Sequence, residues 1–192
     1  EGTIKLLDDT LSNLLAGLGV AIIAIFLMLA AYYQSYKVPL IILSVVPAVI
    51  AGSLLLLFLT QSTLNLQSYM GIIMSIGVSV SNAVLLVNQA EFYRKGLLLK
   101  PANAARLAAT SRLRPILMTA AAMLAGMLPM AIGIGDGAEQ VAPLGRAVIG
   151  GLIASTVTIL LLVPHFFSSM LSRTAIANPS LDPDDEESQY FV

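Results

Sequence analysis

The chain contains no cysteine, a single histidine and few charged residues. The absence of cysteine excludes a disulfide framework and a thiol site. The histidine, His165, has no second metal-ligating residue near it, so the sequence predicts no metal site and no cofactor. Charged residues make up 11% of the 192 residues, whereas a soluble domain usually carries about 25%. The net charge of −1 argues against a nucleic acid as a partner.

Long apolar runs dominate what is present. The chain is 57% hydrophobic, with a mean hydropathy of +0.88. A helix that crosses the ~30 Å hydrocarbon core needs about 20 apolar residues, and five runs meet this length: 11–31, 38–59, 68–90, 115–135 and 146–171. Backbone groups in lipid must pair internally, and the runs lack the alternation of barrel strands. The sequence therefore predicts an all-α fold, a polytopic membrane bundle of five transmembrane helices spanning 11–172.

The segments outside these runs complete the predicted organisation. Residues 1–10 lack the basic segment of a signal peptide. Because the chain starts with Glu rather than Met, we expect either a piece of a longer chain or a chain processed at its start. The loop 91–114 is expected to contain a short helix at 102–113. That helix either couples movements along the membrane surface or is a connector held by anionic lipid. The acidic tail 173–192 is expected to be disordered.

Lysines and arginines are divided unequally between the two sides of the expected spans. Two of the ten, Lys5 and Arg146, fall on one side. The other side carries Lys37, Arg94, Lys95, Lys100, Arg106, Arg112, Arg114 and Arg173. Because cytoplasmic segments carry an excess of these residues, we expect the N-terminus outside and the C-terminus in the cytoplasm.

The third span, 68–90, is unusually rich in small and polar residues. At 3.6 residues per turn, one face carries Gly71, Ser75, Ser79, Asn82 and Gln89. A neighbouring stripe carries Gly77, Ser81 and Asn88. Amides need partners in hydrocarbon, so this half of the helix is expected to face protein or water. The remaining arc is expected to face lipid: Ile72, Ile73, Ile76, Val80, Ala83, Val84 and Val87.

Two interpretations of the polar half stay open. Gly71, Ser75, Gly77 and Ser79 are expected at helix-packing positions, since small residues let membrane helices approach closely. Asn82, near mid-span, either serves the same packing or takes part in transport.

No Asp, Glu, Lys or Arg lies in the middle of any span. Intramembrane ionisable groups normally mark a proton or ion relay, so this chain alone offers no charged proton carrier. Thr119 either bonds back to its own helix or takes part in transport. The oxygens of Ser79, Ser81 and Asn82 could instead bind sodium. No phosphate-binding loop or catalytic grouping is present, which favours a transporter over an enzyme.

Several motifs resemble the resistance–nodulation–division (RND) efflux permeases, of the AcrB type. "SRLRPILMT" (111–119), leading to "AGMLPMAIGIGDGAE" (125–139), resembles their penultimate helix. "APLGRAVIGGLIASTVTILLLVP" (142–164) resembles the last helix, and "GVSVSNAVLLVNQA" (77–90) the helix two before it. "YYQSYKVPLIILSVVPAVIAG" (32–52) resembles an earlier loop and helix of the same half.

This resemblance implies a secondary active efflux transporter of small molecules in the bacterial inner membrane. Such permeases have twelve transmembrane helices and large periplasmic porter domains. They act as trimers that exchange inward protons for outward substrate, with a periplasmic adaptor and an outer-membrane channel as possible partners. This chain resembles the last five helices, with 1–10 leading in from a porter domain, so the remaining helices and porter domains are expected as partners alongside the lipid bilayer.

The resemblance also implies site residues. The family's relay aspartates lie in a helix of the first half and face a lysine followed by an asparagine; these two positions correspond to Ser81 and Asn82. Thr119 corresponds to a relay threonine, and Arg112 to an arginine at the cytoplasmic mouth. Asn82, Thr119 and Arg112 have the residue types of the family at these positions. Ser81 does not, and a serine cannot supply the positive charge of the lysine, so the relay is expected to be altered.

Three functions remain open at this point. The first is the membrane part of an efflux transporter with this altered relay. The second is a non-transporting scaffold or regulatory subunit derived from an RND permease. The third is an RND branch that exports lipid or another cargo.

Overall fold

A computed structural model describes residues 2–134 and 137–172, and the side chains from residue 9 onward. The tail predicted at 173–192 lies outside the described residues. The described residues form six helices: α1 (Gly2–Tyr33), α2 (Lys37–Leu43), α3 (Val45–Leu59), α4 (Leu66–Gly96), α5 (Pro101–Ile132) and α6 (Ala138–Leu171). No strand occurs within the described ranges.

Within the described ranges, five segments are candidates for membrane spans, because α2 and α3 together form one of them. These segments are Asp9–Tyr33, Lys37–Leu59, Leu66–Gly96, Pro101–Ile132 and Ala138–Leu171, and all are long and apolar enough to cross a bilayer. The prediction of an all-α membrane bundle with five transmembrane helices is confirmed.

The second span is broken at Ser44, between α2 and α3. Pro47 explains the position of this break. It has no N–H to donate to the carbonyl of Leu43, and its ring crowds that carbonyl. The Ser44 hydroxyl donates to the carbonyl oxygen of Ile41 at 2.6 Å, which satisfies one backbone acceptor at the break.

The structure differs from the expected loop over 91–114. Helix α4 continues to Gly96 and α5 begins at Pro101, so only 97–100 connects them. The segment 102–113, expected as a separate surface helix, is the first part of α5. Hydropathy marks only the stretch that lies in hydrocarbon, whereas a 32-residue helix is about 48 Å long and extends beyond the ~30 Å core.

Helix α6 is the centre of the bundle and packs against α3, α4 and α5. Glycines allow this close packing. The backbones of Gly52 and Gly150 touch, and a Cβ added to Gly151 would lie 2.7 Å from the side chains of Ser53 and Ser75. A Cβ on Gly145 would lie 2.8 Å from the backbone nitrogen of Ala131. Small residues thus let the helices approach closely at these crossings, as is usual in membranes.

Arg146 forms hydrogen bonds between helices at the end of the bundle where α3 and α5 end and α6 begins. Its Nε donates to the carbonyl oxygen of Ala131 at 2.9 Å, and one Nη donates to the Ser62 hydroxyl at 2.6 Å. One side chain of α6 therefore links the last turn of α5 to the α3–α4 connection, and this charge-assisted pair of bonds stabilises that end.

Candidate functional site

The candidate site lies between α4 and α5. The two helices are antiparallel and meet at the end of the bundle where Arg94, Lys95 and Lys100 lie, which we call the basic end. Helix α4 is fixed at its opposite end by a capping box, in which Asn65 and Ser68 each accept the other's backbone N–H. This cap satisfies two of the amide donors that a helix start leaves unpaired.

Arg112 and Gln89 bridge the two helices near the basic end. An Arg112 Nη donates to the Gln89 side-chain oxygen at 3.0 Å, and both side chains are half-buried. Because a neutral amide accepts from a guanidinium here, the positive charge of Arg112 is held in place without being neutralised. No carboxylate pairs with Arg112 in the described part of the chain.

This bridge fixes the register between α4 and α5, and in that register Asn82 lies at the same height along the bundle as Thr119. Asn82 precedes Gln89 by seven residues and Thr119 follows Arg112 by seven, so each stays on the face of its partner residue. Seven residues rise about 10.5 Å along a helix. The antiparallel geometry therefore places Asn82 and Thr119 at one level, about two turns further from the basic end.

The side chains of Thr119 and Asn82 differ in their hydrogen bonds. The Thr119 hydroxyl donates back to the carbonyl oxygens of Pro115 and Ile116, at 3.1 and 3.0 Å, in the way that membrane threonines commonly do. Its back-bonding to Pro115 still leaves the oxygen as an acceptor. Asn82 is half-buried, and its amide has no hydrogen-bond partner among the residues that the structure describes. The Asn82 amide is thus the most available polar group between the two helices.

The expected packing residues of α4 fall into two sets. Gly71 and Ser75 are buried against α6: a Cβ on Gly71 would lie 2.7 Å from the carbonyl oxygen of Leu144, and the Ser75 hydroxyl donates to the carbonyl of Gly71 at 2.8 Å. Ser79 is buried as well, with a hydroxyl that lacks a partner in the described ranges. Gly77 differs, since nothing in the described chain lies within 4 Å of an added Cβ.

The expectation of a lipid-facing arc on α4 is wrong. Ile72, Ile76, Val80, Ala83 and Val87 are buried in the core of the bundle. The exposed residues recur every three or four positions instead, and we call them the open face of α4: Met70, Met74, Gly77, Ser81, Leu85, Asn88 and Phe92. Inside a membrane both lipid and protein neighbours are apolar, so side-chain polarity alone does not tell the two surfaces apart.

Sequence reasoning also missed a buried ion pair at the basic end. Glu91 and Arg94 were expected in a loop, but both lie in the last turns of α4 with side chains only 7% exposed. The Arg94 Nε lies 3.3 Å from one Glu91 carboxylate oxygen, and Lys95 approaches the other at 3.7 Å. The sequence carried one indication of this pair: Glu91 and Arg94 have opposite charges and are three residues apart, which is about one turn of a helix.

Replacing Glu91 by Leu is expected to destabilise the protein by about 3–5 kcal/mol, because Arg94 would remain buried without its counter-charge. Lys95→Gln provides the control, since Lys95 is about half exposed and its pair with Glu91 is worth less than about 1 kcal/mol. Thermal unfolding of the purified full-length protein measures both. Equal stability of the two variants would contradict a structural role for the buried pair.

The geometry defines a class of protein: a membrane helix bundle with a polar level between two of its helices and a polar open face. Among the residues that the structure describes, no group of three or more metal-ligating side chains occurs.

Comparison with known proteins places the chain within this class. The profile of the AcrB/AcrD/AcrF family matches residues 2–170, so the chain belongs to this family. The RND resemblance is thereby confirmed. The multidrug resistance protein MdtC of Yersinia enterocolitica is 38% identical over 175 residues, which cover 90% of this chain and 17% of MdtC. The toluene efflux pump membrane transporter TtgB of Pseudomonas putida is 34% identical over 180 residues, which cover 93% of this chain and 17% of TtgB.

A solved structure supports the same assignment. The crystal structure of a heavy metal efflux pump superimposes with a TM-score of 0.77 at 30% identity, over 88% of this chain and 16% of that one. The chain therefore spans about one sixth of the length of its curated relatives. It is a multi-pass membrane protein of the AcrB/AcrD/AcrF family.

Proposed function

We propose that this chain forms five helices of a secondary active RND efflux transporter, which exports small molecules by antiport of protons or another ion. It acts as a transporter rather than an enzyme. The observation that carries this proposal is the match of residues 2–170 to efflux transporters, combined with an unpaired Asn82 amide at the level of Thr119. The particular substrates depend on parts of the transporter beyond these helices.

The proposed relay has three polar members and one substitution. Asn82 and Thr119 supply neutral hydrogen-bonding groups at one level, and Arg112 supplies a fixed charge nearer the basic end. Ser81 lies beside Asn82 on the open face, where the family has lysine. A serine hydroxyl can donate a hydrogen bond to a carboxylate but cannot neutralise it. Carboxylates that face Ser81 would therefore keep a proton more readily than carboxylates beside a lysine.

The open face of α4 is the proposed contact surface for the remaining transmembrane helices. It exposes the hydroxyl of Ser81 and the amide of Asn88 together with large apolar residues. Amides at membrane depth need protein or water partners, so lipid alone is a poor neighbour for this surface. Gly77, one turn before Ser81 on this face, leaves room for the close approach of another helix.

Orientation and assembly follow as further parts of the proposal. From the excess of Lys and Arg we infer that the basic end faces the cytoplasm of a bacterial inner membrane and that the N-terminus is periplasmic. The complete transporter includes the remaining helices and porter domains, whether in the same chain or another. It works as a trimer with a periplasmic adaptor and an outer-membrane channel.

Dye accumulation in cells tests the transport proposal. The full-length protein is expressed in bacteria that lack their own efflux pumps, and a fluorescent dye is added. We expect lower accumulation than with an empty vector, and an uncoupler should abolish the difference. The proposal would be contradicted if cells with the protein in their membrane accumulated every compound in a panel of dyes and solvents to the same level as cells with the empty vector.

A second candidate function is a non-transporting scaffold or regulatory subunit of an intact permease. The observation that favours it is Ser81, which removes the mid-membrane cation. This candidate predicts that the protein co-purifies with a complete permease and that Asn82→Ala leaves efflux unchanged. Export of lipid or another cargo by the same fold is distinguished by the substrate panel.

A further inference from the structure

Two apolar grooves run along α6 on the side of the bundle away from the open face of α4. The first, of about 430 Å³, lies between α3 and α6 and has Gly52 and Gly150 at its floor. The second, of about 360 Å³, lies between α5 and α6 and includes Leu113, Leu117 and Leu160. Val157 lines both grooves, so they meet there. No residue of α4 lines either groove.

The groove between α5 and α6 lies in the half of the bundle nearer the basic end, because the α5 residues that line it, from Ala109 to Leu117, lie at or before the middle of that helix. From Gly150 to Leu161, the groove residues of α6 extend over about 16 Å at 1.5 Å per residue. One leaflet contributes about half of the ~30 Å hydrocarbon core. An acyl chain of a phospholipid needs only an apolar surface of this length.

The end of the groove nearest the basic end carries an unneutralised positive charge. Arg106 lies four residues before Thr110 and seven before Leu113, so it shares the face of α5 that lines the groove. Its side chain is exposed. Glu91 is the acidic side chain that the structure describes at this end, and it is already engaged by Arg94 and Lys95.

We propose that this surface binds one anionic phospholipid. An acyl chain lies in the grooves along α6, from Leu161 past Val157 towards Gly150, and the phosphate group pairs with Arg106. A guanidinium matches phosphate geometry with paired hydrogen bonds. The lipid thereby fills the gap that small residues leave between α3, α5 and α6.

Photoactivatable lipids test this site. The full-length protein is placed in nanodiscs that contain phosphatidylglycerol or phosphatidylcholine, each with the same diazirine-bearing acyl chain. Labelled peptides are then mapped by mass spectrometry. We expect phosphatidylglycerol to label 150–161 and 109–117 at least about fivefold more strongly than phosphatidylcholine. Arg106→Gln should lower that labelling about fivefold, equivalent to about 1 kcal/mol at room temperature.

Two further variants separate charge from structure. Arg106→Lys should retain most of the labelling, because it keeps the cation. Lys100→Gln removes a charge at the same end, in the connection 97–100 before α5, and should leave labelling unchanged. Equal labelling by the two lipids would overturn the proposal, since ordinary boundary lipid behaves in that way. Absence of lipid label together with a co-purified single-span protein cross-linked to Val157 would overturn it as well.

Discussion

Gly150→Leu is expected to prevent stable folding of the bundle. A Cβ at this position would collide with the backbone carbonyl of Gly52 and lie 2.8 Å from the Cβ of Leu56. Overpacking usually costs about 1–3 kcal/mol, and more where backbone meets backbone, because no side chain can rotate away. Size-exclusion chromatography and thermal unfolding of the detergent-solubilised full-length protein should show loss of the folded species.

Gly126→Leu is the matched control for this substitution. Gly126 lies inside α5, and nothing in the described chain comes within 4 Å of an added Cβ. The same change of residue should therefore leave stability nearly unchanged or raise it slightly, since leucine favours helix over glycine. If both variants unfold at the same temperature, the glycine contact between α3 and α6 does not hold the bundle together.

Asn82→Ala is expected to lower efflux at least about tenfold without loss of folded protein. A hydrogen bond to a charged group contributes about 1.5–3 kcal/mol, which corresponds to roughly a ten- to hundredfold change. Folding should be retained, because the Asn82 amide bonds to no side chain in the described part of the chain. Initial rates of dye efflux, divided by the amount of protein in the membrane, measure the effect.

The control for Asn82 is Asn103→Ala, which makes the same chemical change on the exposed first turns of α5. Efflux by this variant should equal that of the unmodified protein. Unchanged efflux in both variants would contradict a role for Asn82 in transport and would favour the scaffold function instead.

The number of spans could be predicted from sequence because the thickness of hydrocarbon sets a minimum apolar length. Helix ends could not be predicted in the same way. The first part of α5 is rich in alanine and continues through Pro115 into the apolar run, so hydropathy placed a boundary where the helix has none. The break before Pro47 is different, because the missing N–H of a proline acts on its own helix and needs no knowledge of the neighbouring helices.

The buried face of α4 shows where sequence patterns fail in membranes. Val80 and Val87 suit lipid and a helix interface equally well, so their chemistry left the choice open. The Arg112–Gln89 bridge depends on the register between two helices that are separated in sequence by the connection 97–100. Glu91 was expected in a loop beyond the third span. In the structure α4 continues to Gly96, and Glu91 is buried within it.

The most direct test of the central claim is transport by the reconstituted full-length protein under an imposed ion gradient. Proteoliposomes are loaded with dye, and a pH gradient or a sodium gradient is applied across the membrane. The proposed function predicts dye movement driven by one of the two gradients, reduced at least about tenfold by Asn82→Ala and unaffected by Asn103→Ala. No dye movement under either gradient, with correctly folded protein in the vesicles, would contradict the claim that these helices belong to an active efflux transporter.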